Sequence, residues 1–151
     1  MLVFVPLDPA GLAQWAQSGI RDVTGFAATP SFLDTFDLPV ADSEDADLTL
    51  LELAGIEGLL RHGRRLVAVG QFAADGIEPA EFGAVAADGV SWESIESLFA
   101  DNPVGAQAAT AVHAILPEST LEAAWEDEAV TDLLRTTELL WHGPSEWEGL
   151  V

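Results

Sequence analysis

A chain of 151 residues, 49% of them apolar, fits one domain over 1–151 and can bury roughly 68–70% of its unfolded surface, so a real core is expected and wholesale disorder is not. Twenty-six carboxylates face five basic residues, all arginine, for a formal net charge of −21, a field that repels nucleic acid and anionic membranes and attracts basic partners. Cysteine, lysine and tyrosine are absent, which excludes a disulfide framework, a thiolate nucleophile or metal ligand, a Schiff-base lysine and a tyrosine acid.

The opening "MLVFVPLDPAG" lacks a basic leader and its apolar run is short, so Leu2–Leu7 reads as a buried strand rather than a signal peptide. No apolar run reaches the roughly 20 residues that span a bilayer. With no cysteine present, a cytoplasmic location is expected. "DPAGLAQWAQSG" predicts a short helix capped by Asp8, with Pro9 at its first position, Gly19 past its end, and Leu12, Trp15 and Ala16 on one face. "TPSFLDTFDLP" repeats those signals: Thr29 caps, Phe32, Leu33 and Phe36 face inward, and Pro39 stops it.

The third helix spans "DADLTLLELAGIEGLLRHG", acids first and Arg61 and His62 last, as its dipole favours, with Gly63 as a left-handed stop. Leu48, Leu51, Ile56, Leu59 and Leu60 are its expected apolar face. Gly55 and Gly58 cost helix propensity, which a close-packing role would explain. "RRLVAVGQF" (64–72) is apolar on both faces and reads as an inner strand. "EFGAVAADGVSW" reads as a hairpin turning at Asp88-Gly89.

Ser94–Phe99 fits either period, but the turn before it and the helix start after it ("DNP") favour a strand. "PVGAQAATAVHAIL" gives a helix with Val104, Ala108, Val112 and Ile115 on one side, stopped by Pro117. "STLEAAWEDEAVTDLLR" opens on a capping box, Ser119 with Glu122, and turns Trp125, Ala129 and Leu133 inward. "ELLWH" is the last strand, followed by a Gly143-Pro144 turn and a tail held by Trp147 and Leu150. The expected fold is α+β: about five strands in a mainly antiparallel sheet, helices on one face, and a first strand separated from the rest by three helices.

The acids are spread along the chain, thickening only at Asp42–Asp47 and Glu118–Glu128, where helix starts and solvent faces account for them. That dispersal favours a solvating surface over a DNA mimic. No HxH, HExxH, GxGxxG, GxxxxGK or GxSxG pattern occurs, and no calcium loop, so neither metal nor cofactor is indicated. Of the histidines, His62 suits a helix C-terminus and His113 lies beside an apolar face. His142 follows Trp141, and alternation puts the two on opposite faces of the last strand. A small enzyme pairing His142 or His113 with a carboxylate is therefore one alternative.

"RHGRR" gathers three of the five arginines, so Arg61, Arg64 and Arg65 are candidate anion ligands; the competing reading is that they end a helix, start a strand and pair with nearby acids. Among the tryptophans, Trp15 and Trp125 read as core. Trp92, Trp141 and Trp147, with His142, are candidate partner-binding residues, because an indole near a strand end can anchor a contact.

Several segments together — the opening "MLVFVPLDPAGLAQWAQSG", "GFAATPSF", "LLELAGIEGLL", "RRLVAVGQF" and the closing "ELLWHGPSEWEGLV" — resemble an uncharacterised family of small acidic actinobacterial proteins, a domain of unknown function. The resemblance covers nearly the whole chain and is weakest at Trp141-His142 and in the middle third. It implies a bacterial cytoplasmic protein, supports a strand over Ser94–Phe99, and brings no activity or functional residue. The function expected from the residues is a non-enzymatic acidic module that binds a basic protein.

Overall fold

The computed structural model describes residues 1–116 and 119–151. The apolar opening run, Leu2–Pro6 (β1), lies at the centre of an antiparallel sheet, flanked by Ile20–Phe26 (β2) and Leu66–Gln71 (β3). Asp75–Gly76 (β4) and Ala84–Ser91 (β5) extend the β2 side, and Ile95–Ala100 (β6) and Leu140–His142 (β7) the β3 side. The order is β4-β5-β2-β1-β3-β6-β7, seven strands rather than about five. The segment open to either period is strand β6, as its neighbours required.

Three strand expectations change, the first being the short β4, which the sequence reading does not include. β2 was not expected, because only Val23, Gly25 and Phe26 of "IRDVTGF" are buried and its polar half carries no apolar alternation. β1 therefore pairs directly with β2, through a single intervening helix, instead of standing three helices away from the sheet. The Asp88-Gly89 pair does not turn a hairpin either. Arg21 faces Val90 and Val23 faces Ala87, so Asp88 and Gly89 together oppose Asp22 in a bulge. Gly89 adopts φ +61° there and donates its N–H to the Asp22 carboxylate at 2.8 Å. The extra residue lets Val85 and Val90, five apart, bury on the same face. A left-handed glycine serves a tight turn and a bulge equally, so the dipeptide did not discriminate them.

Among the described residues six α-helices frame the sheet: Pro9–Ser18 (α1), Pro30–Thr35 (α2), Glu44–His62 (α3), Pro103–Ala114 (α4), Leu121–Trp125 (α5) and Glu128–Thr136 (α6). Their starts follow the caps. Asp8, Thr29, Ser43 and Asn102 each accept the N–H three residues on, at 2.7–3.2 Å. The single helix expected from Ser119 is two, capped by Thr120 and again by Asp127, which accepts from Ala129 and restarts the chain. The expected stop at Pro117 lies outside the described residues.

Helices cover both faces, not one. Phe4, Val67 and Val69 point into the larger core, filled by α2 to α6 through Phe32, Leu50, Leu53, Leu59, Ala109 and Leu133. Val3, Val5, Leu66, Ala68, Leu98 and Ala100 point the other way, onto Leu12 and Trp15 of α1. A 3-10 helix, Pro144–Leu150, closes that second face with half-buried Trp147 and Leu150. Buried residues of α3 include Leu50 and Leu53, while Leu48 is 57% exposed. Val104 of α4 and Ile115 at its C-cap likewise point outward, around a buried stripe at Gly105 and Ala109. Both helices are apolar on more than one side, so periodicity alone did not orient them.

Gly55 and Gly58 serve different ends. A Cβ at Gly58 would approach the Arg64 carbonyl oxygen to 3.2 Å, whereas at Gly55 its nearest contacts are Leu139 and Arg65 carbons at 3.4 and 3.5 Å. Gly55→Ala is therefore expected to raise unfolding free energy by about 0.5–1 kcal/mol through helix propensity. Gly58→Ala should gain nothing or lose stability. Urea denaturation of the two variants side by side checks the contrast; equal gains would mean that the α3 backbone can retreat from the sheet.

Candidate functional site: the edge strand and the groove beside it

Among the described residues β7 is the outer strand on one side of the sheet, paired only with β6. Its register sets Trp141 opposite Phe99, which belongs to the larger core, and His142 opposite Leu98, which belongs to the other. Alternation thus separates Trp141 from His142 as the sequence predicts. Trp141 is 60% exposed, its indole N–H donating to Ser97 Oγ at 3.0 Å, and Leu140 is 44% exposed. His142 Nδ1 lies 3.9 Å from Glu146 Oε1, but the other oxygen of Glu146 accepts the Gly143 N–H at 2.5 Å and fastens the tail turn. Trp147 packs against the second core, and Trp92 is half-buried with its ring edge-on to Trp15 at 5.4 Å between centroids. Of the four expected contact residues, only Trp141 is mainly exposed; Trp92, His142 and Trp147 are half-buried.

The arginines of "RHGRR" go three ways. Arg64 and Arg65 lie just before β3, and alternation from its first residues sends Arg65 to the side of Val67 and Val69 and Arg64 to the side of Leu66. Arg64 donates to the Leu150 carbonyl at 3.3 Å, tying down the C-terminal segment. Arg65, 2% exposed, chelates Asp101 through Nε–Oδ2 at 2.9 Å and Nη2–Oδ1 at 2.5 Å, and also donates to Thr137 Oγ1 at 2.7 Å. Arg61 stands on α3, 3.6 Å from Glu57, and lines a separate concavity with His62, Arg21 and Asp22. The three guanidiniums thus have separate partners, and Arg65 is occupied by a carboxylate of its own chain.

Arg65 and Thr137 form the polar end of a cavity of about 260 Å³ between α3 and the segment joining α6 to β7. Its walls are leucines: Leu48 and Leu51 from α3, Leu134 and Leu139 opposite. Gly55 leaves room for its floor. Half-buried Glu52 and exposed Glu138 supply its carboxylates. Among the described residues Glu52 has neither a hydrogen-bond partner nor an ion pair, and burial pushes its pKa up against the opposing pull of Arg65. Sequence reasoning did not single out Glu52, one of 26 carboxylates; its one local sign is a place between Leu51 and Leu53, three residues before a glycine.

The raised Glu52 pKa has a defined pH signature. The folded state holds this proton more tightly than the unfolded one, so the associated stability is complete below the ordinary glutamate pKa, about 4.3, and lost as pH rises through the folded value. Asp47, also raised by burial and by Asp42, adds the same trend in wild type and variant alike. Glu52→Gln should therefore gain melting temperature on wild type between about pH 4 and neutrality. Melts at constant ionic strength check this, and a pH-independent difference would mean that Glu52 is fully solvated. Arg65, Asp101 and Glu138 are the charged groups that line the cavity or pair beside it.

Among the described residues neither His113 nor His142 lines the leucine-walled cavity, and His62 lines the concavity beside Arg61, Arg21 and Asp22. His113 lies against Gly63, with its Nδ1 buried and without a hydrogen-bond partner among the described residues. Among the described residues no helix is long and apolar enough to cross a membrane.

The model of a family of unknown function, DUF6912, matches residues 1–151. No curated protein and no solved structure matches the chain.

Proposed function

We propose that this chain, which belongs to the family of unknown function DUF6912, is a non-enzymatic acidic module of the cytoplasm that binds a basic protein along the β7 edge. One observation carries the reading: the outer strand of a protein of net charge −21 presents two adjacent large apolar side chains, Leu140 and Trp141, to solvent. Edge strands are normally blunted by charge, proline or extreme shortness. The opposite edge, β4, is blunted by the Asp75-Gly76 pair. β7 is short but carries no charged or proline residue, and Glu138 and Glu146 lie on either side of it. An added strand would gain main-chain hydrogen bonds there, a tryptophan anchor, and carboxylates for its basic side chains.

The test is retention of lysate proteins on the immobilised chain at low and moderate salt, beside Trp141→Ser, which alters an exposed residue and should leave the melting temperature nearly unchanged. A basic protein held by the wild type, weakened by salt and lost with Trp141→Ser is the expected result. No basic protein enriched at either salt, or equal retention by the variant, removes the reading.

A further inference from the structure

We infer that the leucine-walled cavity between α3 and the α6–β7 segment receives one arginine or lysine side chain of the basic partner, with Glu52 as its counter-ion. The inference rests on the binding reading above and names the chemistry by which the partner is chosen. About 260 Å³ is below the roughly 300–1,000 Å³ of pockets that enclose a drug-sized ligand, and suits one long side chain. Its walls, Leu48, Leu51, Leu134 and Leu139, suit the methylene stem of a basic residue, and Leu48 is exposed at 57%.

Charge selects the end group. Glu52, Glu138 and Asp101 bring three negative charges against the single positive charge of Arg65, a balance of −2. Arg65 is held to Asp101 and Thr137, and Glu52 is left half-desolvated without a partner. A neutral guest would deepen that desolvation, and an anionic one would add repulsion. A guanidinium can pair with the carboxylate in the plane of both, and an ammonium can meet it as a point charge. The cavity also lies beside the proposed docking edge. Leu139 lines it just before β7, and Trp141, two residues on and about 7 Å away in extended chain, lies opposite Phe99, which packs on the same core as Leu139.

The test uses the isolated full chain and defined probes, so it does not depend on finding the partner. Backbone amide NMR shifts are followed during titration with N-acetyl-argininamide, with its neutral isostere N-acetyl-citrullinamide, and with an alanine-rich peptide carrying one central arginine. Expected is saturable movement of the amides of Glu52, Gly55, Thr137 and Leu139 by the arginine amide and the peptide. Affinity should fall at least tenfold for citrulline and for Glu52→Gln, and be unchanged by Glu93→Gln, an exposed acid that does not line the cavity. Equal binding of the citrulline probe, undiminished binding by Glu52→Gln, or shifts scattered over the acidic surface would overturn the inference. A peptide more than tenfold weaker than the free amide would also overturn it, since the site would then suit a small cation rather than a partner's side chain. Loss of lysate binding in Trp141→Ser speaks only to the edge reading.

Discussion

Replacing Arg65 with alanine is expected to cost about 3–5 kcal/mol, a large part of the roughly 5–15 kcal/mol that stabilises a domain. The loss comes less from the ion pair's net attraction than from what is left behind. Arg65 and Asp101 are 2% and 5% exposed at the side chain, so alanine strands a carboxylate out of water with two hydrogen bonds gone. Thr137 suffers less, because its hydroxyl also donates to the Leu133 carbonyl at 2.6 Å. Removing both charges should therefore be far milder than removing one: Arg65→Met with Asp101→Leu is expected to recover most of the loss. Denaturant unfolding of the two single variants and the double closes the cycle. A single-variant cost under about 1 kcal/mol would show that water reaches Asp101 once the arginine is gone.

Trp15→Ala should cost as much, about 3–5 kcal/mol, for a different reason. The indole is fully buried between α1 and the sheet, meets Trp92 edge-on, and donates its N–H to the Val90 carbonyl at 3.0 Å. Alanine opens a cavity and orphans that carbonyl. Trp15→Phe retains much of the volume but loses the donor, so it should fall between wild type and alanine. Guanidinium midpoints at fixed salt, needed because the chain is so acidic, rank the three proteins. A phenylalanine variant as unstable as alanine would mean that the hydrogen bond outweighs the packing.

Much of the local structure was legible in the sequence because its signals are local. A short polar side chain ahead of the first turn satisfies free N–H groups wherever the helix lies, so Asp8 and Thr29 mark the starts of α1 and α2, and Gly19 and Gly63 mark left-handed ends. Period-two alternation put Trp141 and His142 on opposite faces and explains in retrospect why Arg64 and Arg65 part company. Elsewhere local signals were degenerate. Asp-Gly serves a bulge as well as a turn, the half-polar β2 carries little alternation, and α3 and α4 are apolar on more than one side. At the candidate site, Trp141 stands out in the sequence and Glu52 does not.

The division has one physical cause. By itself the sequence determined an acidic α+β chain without cysteine, lysine or tyrosine chemistry, the caps of α1 and α2, and its closing strand, since composition, capping and alternation act over a few residues. Tertiary structure decided which faces met: seven strands, two cores, Arg65 turned inward to Asp101, Trp141 left in solvent, and Glu52 drawn into a leucine-walled cavity. Exposure, pairing and desolvation depend on neighbours far apart in the chain. Twenty-six carboxylates look alike in the sequence; packing buries Asp101 against Arg65 and half-buries Glu52 with no ion pair among the described residues.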